Sequence, residues 1–196
     1  MTSKINIVLL CAGKSSRLKF NLPKVILPIN GKTLLQRSLH SLGKLSPSKT
    51  IIVAGFKKEL VINLSKTLNY KNLNFVVQKE QLGTGDAVKK AASSLDNKSI
   101  ALIMNGDTPF VDEGTINQAL SQYRKTKSVF TIATTKPSSP FGYGRILRDN
   151  DGQILDIVEE KDCDDKQKLI KEVNAGLYLI ATDYLKKFVK LSLIHI

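Results

Sequence analysis

The chain has 196 residues, 42% of them in the hydrophobic set, and a formal net charge of +13. Chains of this length bury roughly 70% of their unfolded surface, so one domain with a sizeable core is expected. Ordinary apolar content without a low-complexity tract excludes a disordered chain. The lysines are spread along the sequence, with no RNA-type aromatic motif or helix-turn-helix pattern beside them. The charge therefore reads as a solvated surface, one that helps recruit a small polyanion, and a nucleic-acid partner is not expected. Cys11 and Cys163 are too few for a disulfide framework and lack metal-ligand spacing. Ile5–Cys11 is too short, and too weakly flanked by basic residues, for a signal peptide, and no run reaches the length of a membrane helix. A cytoplasmic protein with no membrane partner is the expectation.

In chain order, Ile5–Leu10 reads as a buried strand. Thr33-Leu34-Leu35-Gln36 has the form of a capping box, followed by Leu35, Leu39 and Leu42 on one helical face. Thr50–Ala54 is a second strand, and Val61, Leu64 and Leu68 share the face of the next helix. Leu73–Val77 is a third strand; its helix carries Ala87, Val88, Ala91, Ala92 and Leu95 inward. Ile100–Met104 is a fourth, ending in Asn105-Gly106-Asp107, before a helix with Ile116, Ala119, Leu120 and Tyr123 at i, i+3, i+4, i+7. Four strand–loop–helix units in succession define an open α/β sheet with right-handed crossovers. The pattern then changes. Val129–Thr134 is a strand, Pro137–Gly144 a loop, and Arg145–Arg148 with Ile154–Val158 a hairpin around Asp151-Gly152. Ala175–Ile180 leads into a last helix. No repeat or linker divides the chain.

The stretch Leu10–Leu18 contains Gly13-Lys14-Ser15, which invites a phosphate-loop reading. A Walker A loop needs glycine where Val8 stands, and the dinucleotide fingerprint needs glycines at Ser15 and Leu18. Gly83-Thr84-Gly85 fails the same test at Val88. A more general reading survives. Three strand ends, Cys11–Lys24, Gln78–Gly85 and Asn105–Asp107, are polar and carry glycine, and open α/β sheets bind ligands there. Arg17 and Lys24 place two cations in one such loop, with Pro23 restricting where Lys24 can point. Asp107 suits a Mg²⁺ site against a polyphosphate, and it equally suits a turn before Pro109. Spacing alone leaves both open.

Taken together these segments resemble the sugar-phosphate nucleotidyltransferases, and in particular the uridyltransferase domain of bifunctional N-acetylglucosamine-1-phosphate uridyltransferases (GlmU). The opening motif L-A-A-G-x-G-T-R-M is matched by Leu10–Leu18, and its Pro-Lys by Pro23-Lys24. Gln78 with Leu82–Gly85, Gly106–Pro109, Gly142–Ile146, Ile157–Asp162 and Val173–Gly176 match later motifs in order. The resemblance implies a Rossmann-like nucleotide-diphospho-sugar transferase fold, a predominantly parallel mixed sheet flanked by helices, with the hairpin region C-terminal.

It also implies roles. The Leu10, Cys11, Ala12 and Gly13 backbone would contact the nucleotide, and Gln78, Gly83 and Thr84 would read uracil. Asp107 would hold Mg²⁺, with Asn105 and Gly106 beside it. Gly144, Glu159 and Asn174 would hold the sugar, and Arg17 and Lys24 would act catalytically by neutralising phosphate charge. The implied reaction converts UTP and N-acetylglucosamine 1-phosphate to UDP-N-acetylglucosamine and pyrophosphate, for cell-envelope synthesis. An anionic nucleophile needs no strong base, which accords with the lack of a Ser/His/Asp or Cys/His set; His40 and His195 are not expected to take part.

Several residues depart from the pattern. Ser15 replaces a glycine, Asn105 stands where tyrosine is frequent, and Asp86 replaces a frequent histidine and stands where it can repel a phosphate. The uridyltransferase pattern runs to Leu191, and residues 192–196 match nothing in it. No hexapeptide repeats follow, so a truncated chain without the β-helix acetyltransferase domain, and a monomer, are expected. Other readings are the same chemistry with another sugar phosphate or base, a binding-only remnant, and, more remotely, an RNA binder.

Overall fold

The computed structural model describes residues 4–14 and 21–191, so Ser15, Arg17 and His195 lie outside the described residues. The described chain forms two compact units. One takes in the chain up to Thr131 and again from Tyr178; the other is Ile132–Leu177.

In chain order the first unit holds β1 (Ile5–Cys11), β2 (Pro28–Ile29), β3 (Lys32–Thr33), α1 (Leu34–Gly43), β4 (Lys49–Ala54), α2 (Lys58–Thr67), β5 (Leu73–Val77), α3 (Thr84–Ala92), β6 (Ile100–Asn105) and α4 (Glu113–Thr126). The chain passes into the second unit within β7 (Phe130–Thr135). There follow β8 (Arg145–Arg148), β9 (Ile154–Val158) and α5 (Asp165–Lys168); β10 (Val173–Ala181) returns to the first unit, which ends in α6 (Thr182–Leu191).

β1 lies between β4 and β6, and β5 flanks β4, all in parallel register. Ile7, Val8, Leu9, Ile51, Ile52, Val53 and Leu102 are fully buried, as expected when helices cover both faces of a parallel sheet. Val8, Ile51, Val53, Ala101 and Ile103 form one cluster with Ala87, Ala91 and Ala92 of α3 and with Ile180 and Leu185. Small residues on α3 let its axis come close to the strands. The same cluster joins sequence-distant parts, and Thr182 seals it: its N–H donates to Ser99 O at 2.9 Å, and its Oγ1 accepts from Ser99 N–H at 3.1 Å. Lys186 Nζ donates to Leu95 O at 2.7 Å, fastening α6 beyond the end of α3.

Strand and helix positions follow the sequence reading closely. The Thr33–Gln36 capping box forms as expected, with Gln36 N–H donating to Thr33 Oγ1 at 3.1 Å and Thr33 N–H to Gln36 Oε1 at 2.7 Å. The β2–β3 hairpin was not anticipated. Its signal was the Asn30-Gly31 pair, whose φ values of 48° and 72° are those of a type I′ turn. Strands of two residues carry no periodicity, which is why the pattern missed them.

In the second unit β8 pairs antiparallel with β9, Arg145 opposite Val158, around the expected Asp151-Gly152 turn. Asp149 Oδ1 accepts the N–H groups of Asp151 and Gln153 and closes that turn. Arg148 grips Glu172 with two bonds, Nε to Oε2 at 2.9 Å and Nη2 to Oε1 at 2.6 Å. These bonds, helped by Thr134 and Lys136, hold the Glu172 carboxyl down from 4.5 to about 2. A depressed acid contributes stability above its unfolded pKa and loses it as pH falls through the folded one. Partial exposure of Arg148 limits the effect to on the order of 1 kcal/mol. Thermal melts of wild type and Glu172→Gln should therefore differ at neutral pH, and the gap should close as pH falls from 4.5 toward about 2. A gap unchanged at pH 2 would contradict this assignment.

Candidate functional site

The chain runs from β1 to β4 and β5 on one side, then crosses to β6 on the other. The carboxyl ends of β1 and β6 thus flank the topological switch point, where open α/β sheets leave a crevice. A cleft of about 350 Å³ lies there, lined by Leu10, Cys11, Ala12, Gly13, Lys24, Gln78, Gly83, Thr84, Asn105 and Asp107. Val25, Gln81 and Ala87 complete the lining. Every described residue expected at the nucleotide is present except Gly106, which sits behind the cleft. Sequence reasoning missed Val25, Gln81 and Ala87, which carry no motif; Val25 and Ala87 are buried in its wall, and Gln81 is exposed.

Lys24 opens a single turn of 3-10 helix, Lys24–Ile26, fixed by Ile26 N–H to Pro23 O at 3.1 Å and Leu27 N–H to Lys24 O at 3.0 Å. Buried Val25 anchors that turn. From it Lys24 Nζ donates to Asp107 Oδ2 at 2.9 Å. The two groups singled out for phosphate and metal thus meet at one point of the cleft, although 83 residues separate them.

Asp107 is placed by the loop before it. Gly106 N–H donates to Leu10 O at 2.9 Å, extending the β1–β6 pairing one step past the strands. Ser38 Oγ of α1 donates to Gly106 O at 3.3 Å, and Thr108 Oγ1 to Asn105 O at 2.7 Å. Gly106 is needed for close approach: a Cβ there would overlap Cys11 Sγ and stand 3.1 Å from Val25 Cγ1. Cys11 is buried, and that burial, followed by the nearby Asp107 charge, pushes its thiol well up from its ordinary value. It is a packing residue and no nucleophile.

The loop after β4 secures the loop after β1. Phe56 N–H donates to Ala12 O at 3.0 Å, and Lys57 Nζ donates to Asn21 O at 2.6 Å. Lys14 and Lys57 both lie over the Phe56 ring, 5.8 and 5.7 Å from its centre. Across the cleft, α3 starts at Gly83 with no side-chain cap, so its first-turn N–H groups remain available to a ligand. Gln78 is buried beside it, its backbone N–H donating to Ala54 O at 2.9 Å. Its amide nitrogen donates to Gly83 O at 3.0 Å and to Asp86 Oδ2 at 2.8 Å. Asp86, which the sequence placed as a threat to phosphate, is engaged with Gln78 and with Lys90 at 3.9 Å.

The three expected sugar residues lie together in the second unit. Asn174 N–H donates to Gly144 O at 2.9 Å, and a carbon built on Gly144 would stand 3.7 Å from Glu159 Oε1. Arg145 braces this group: it is almost wholly buried, and its Nη2 stands 2.8 Å from Glu160 Oε2. Glu160 Oε2 also accepts Gly142 N–H at 3.0 Å. That backbone bond, followed by Arg145, holds the Glu160 carboxyl below the usual range. The Gly142–Gly144 loop is therefore held from inside.

No group of three or more His, Cys, Asp or Glu side chains suited to a metal occurs among the described residues. Asp107 is a lone carboxylate. Mg²⁺ commonly takes one or two protein carboxylates and completes its shell with water and substrate phosphate, so the donor set fits a metal that arrives with a nucleotide. His40 lies in α1, away from this cleft. Among the described residues no helix is long and apolar enough to cross a membrane.

A cleft at the switch point, with a lysine and a helix N-terminus on its wall, is the kind of crevice in which open α/β proteins receive anionic ligands. The chain belongs to the MobA-like NTP transferase domain family, which matches residues 7–168. It is 39% identical over 189 residues to the probable UDP-N-acetylglucosamine pyrophosphorylase of Acanthamoeba polyphaga mimivirus, covering 95% of this chain and 74% of that one. It is 40% identical to the bifunctional protein GlmU of Streptococcus mutans and 42% to that of Dechloromonas aromatica, over 88% and 91% of this chain. It spans only 37% and 38% of those two relatives. The resemblance read from the motifs is thereby borne out. Among solved structures, HddC from Yersinia pseudotuberculosis matches with a TM-score of 0.74 at 24% identity, over 93% of this chain and 79% of that one. A UDP-glucose pyrophosphorylase complexed with UDP-glucose matches with a TM-score of 0.74 at 19% identity, over 93% and 78%. These likenesses show the fold: a Rossmann-like, mixed and mostly parallel sheet with flanking helices.

Proposed function

We propose that the chain transfers a uridylyl group from UTP to N-acetylglucosamine 1-phosphate, with Mg²⁺ held at Asp107, in the cytoplasm. The observation that carries this reading is the Lys24–Asp107 pair at 2.9 Å, set where the carboxyl ends of β1 and β6 meet a helix N-terminus. The names of the relatives supply the sugar and the base.

A phosphate oxygen of the sugar 1-phosphate attacks the α-phosphorus of UTP. The bond from that phosphorus to the oxygen bridging to the β-phosphate breaks, and pyrophosphate leaves with the electron pair. The nucleophile is already an anion, so no base is required. The protein's work is to align the reactants and stabilise charge. Arriving phosphates compete with Asp107 for the Lys24 ammonium, and Arg17 adds a second cation. Leu10, Cys11, Ala12 and Gly13 offer backbone, while Gln78, Gly83 and Thr84 meet the base. Gly144, Glu159 and Asn174 take the sugar hydroxyls and acetamide. The metal, when bound, offsets charge on the α-phosphate and the leaving group.

The test is pyrophosphate release from UTP and N-acetylglucosamine 1-phosphate, with and without Mg²⁺, beside a panel of other sugar phosphates. Release that needs both substrates and the metal, and is strongest with the N-acetyl sugar, is expected. UDP-sugar binding without any release would favour a protein that holds nucleotide and does not turn it over.

A further inference from the structure

We infer that Asp86 is a positioning residue for base selection, acting by locking the Gln78 amide so that only its carbonyl oxygen faces the ligand. The inference rests on the uridylyl-transfer reading in one respect, that the base sits at Gln78.

An amide side chain offers two N–H donors at one end and one acceptor oxygen at the other, and the two ends are near-identical in shape. What surrounds Gln78 decides which end points where. Its two neighbours on one side are the carbonyl of Gly83, 3.0 Å away, and the carboxylate of Asp86, 2.8 Å away. Both are acceptors. The amide nitrogen must face them, because the opposite orientation would set three oxygens against one another in a part-buried place. Both N–H groups are then used, and Oε1 is what remains to meet a ligand in the cleft that Gln78 lines.

Gly83 O alone leaves one amide hydrogen free to serve a ligand; Asp86 removes that option. It is held firmly, because α3 is anchored to the sheet by Ala87 and Ala91, which are 2% and 0% exposed. Gln78 is itself 3% exposed and tied through its backbone to β4. The lock therefore runs from a rigid helix to a rigid strand end.

An acceptor fixed in this way selects an edge that donates. Uracil presents an imide N–H between two carbonyls and satisfies it. Cytosine presents a bare ring nitrogen at that place, and two acceptors would meet. In Asp86→Ala only Gly83 O still faces the Gln78 nitrogen, so one amide hydrogen becomes free to serve a base that accepts.

The experiment is calorimetric binding of UTP and of CTP to wild type, Asp86→Ala and Asp86→Leu, with thermal melts of each. Wild type should bind UTP at least about tenfold more tightly than CTP, the worth of one well-formed bond against one mismatched. Asp86→Ala should bring that ratio to within about threefold, chiefly by improving CTP, with its melting temperature little changed. Asp86→Leu, close to Asp in shape and without an acceptor, is the second variant should the first not fold. Asp86→Glu should recover part of the preference. A ratio unchanged in a folded Asp86 variant, or no preference in wild type, overturns the inference. A purely structural Asp86 would weaken both nucleotides alike, which also overturns it. Pyrophosphate release on the same preparations separates the two readings. Release that persists with an unchanged base ratio removes only the role of Asp86. Absent release, with a ratio that still collapses in Asp86→Ala, removes only the transfer reaction.

Discussion

Lys24→Ala is expected to lower pyrophosphate release by about 100- to 1,000-fold, the scale for losing one aligned charge-stabilising donor at a reacting centre. The fold should survive. The Lys24 and Asp107 side chains are 41% and 34% exposed, and such a pair contributes at most about 1 kcal/mol. The turn that carries Lys24 is held by backbone bonds and by buried Val25, neither of which the substitution touches. Melting temperature should therefore stay close to that of wild type while turnover collapses. Near-normal turnover in a folded Lys24→Ala protein would remove Lys24 from the mechanism.

Gly106→Ala should have the largest effect on stability among site substitutions. Its added carbon would overlap Cys11 Sγ and press on Val25 Cγ1 and on Leu10 O at 3.2 Å. All three belong to well-packed parts of the molecule, so relief requires the loop to back away from β1. Overpacking of this kind costs about 1–3 kcal/mol, or a fall of roughly 2–10 °C in Tm for a chain of this size. Activity should fall with it, because the displaced loop carries Asp107. The cause can be checked by coupling. Cys11→Ala removes the sulfur that the new carbon meets, so the double variant should recover part of the loss. Strictly additive losses would mean that the Cys11 contact is not what makes Gly106 necessary.

Much of this architecture was readable from periodicity. β5, β8 and β9 fall on the residues expected, and β1 and β6 differ by one residue at their ends. Apolar runs and amphipathic faces report on burial, and burial is what made those elements. Strand ends with glycine and polar residues also pointed to Gln78, Lys24, Asn105 and Asp107, which the fold gathers in one cleft. What stayed hidden was pairing over distance. Neither the bond between Lys24 and Asp107 nor the fit of Gly106 against Cys11 leaves a mark in local sequence, because each depends on how β1 and β6 are set side by side. Asp86 shows the same limit. Read alone it was an acid near phosphate; beside Gln78 it is the partner of an amide.

The first unit is assembled from both ends of the chain, with Ile132–Leu177 lying between them in sequence. Ile180 and Leu185 belong to the cluster that includes Val8, and Thr182 closes on Ser99. During synthesis this core cannot finish when its strands emerge. The cluster between the sheet and α3 stays incomplete until Ile180 and Leu185 have left the ribosome. The second unit, whose contacts lie within one continuous stretch, can be complete before that moment. α6 thus has a duty in time as well as in space: its arrival supplies the side chain that this cluster lacks while the earlier strands wait.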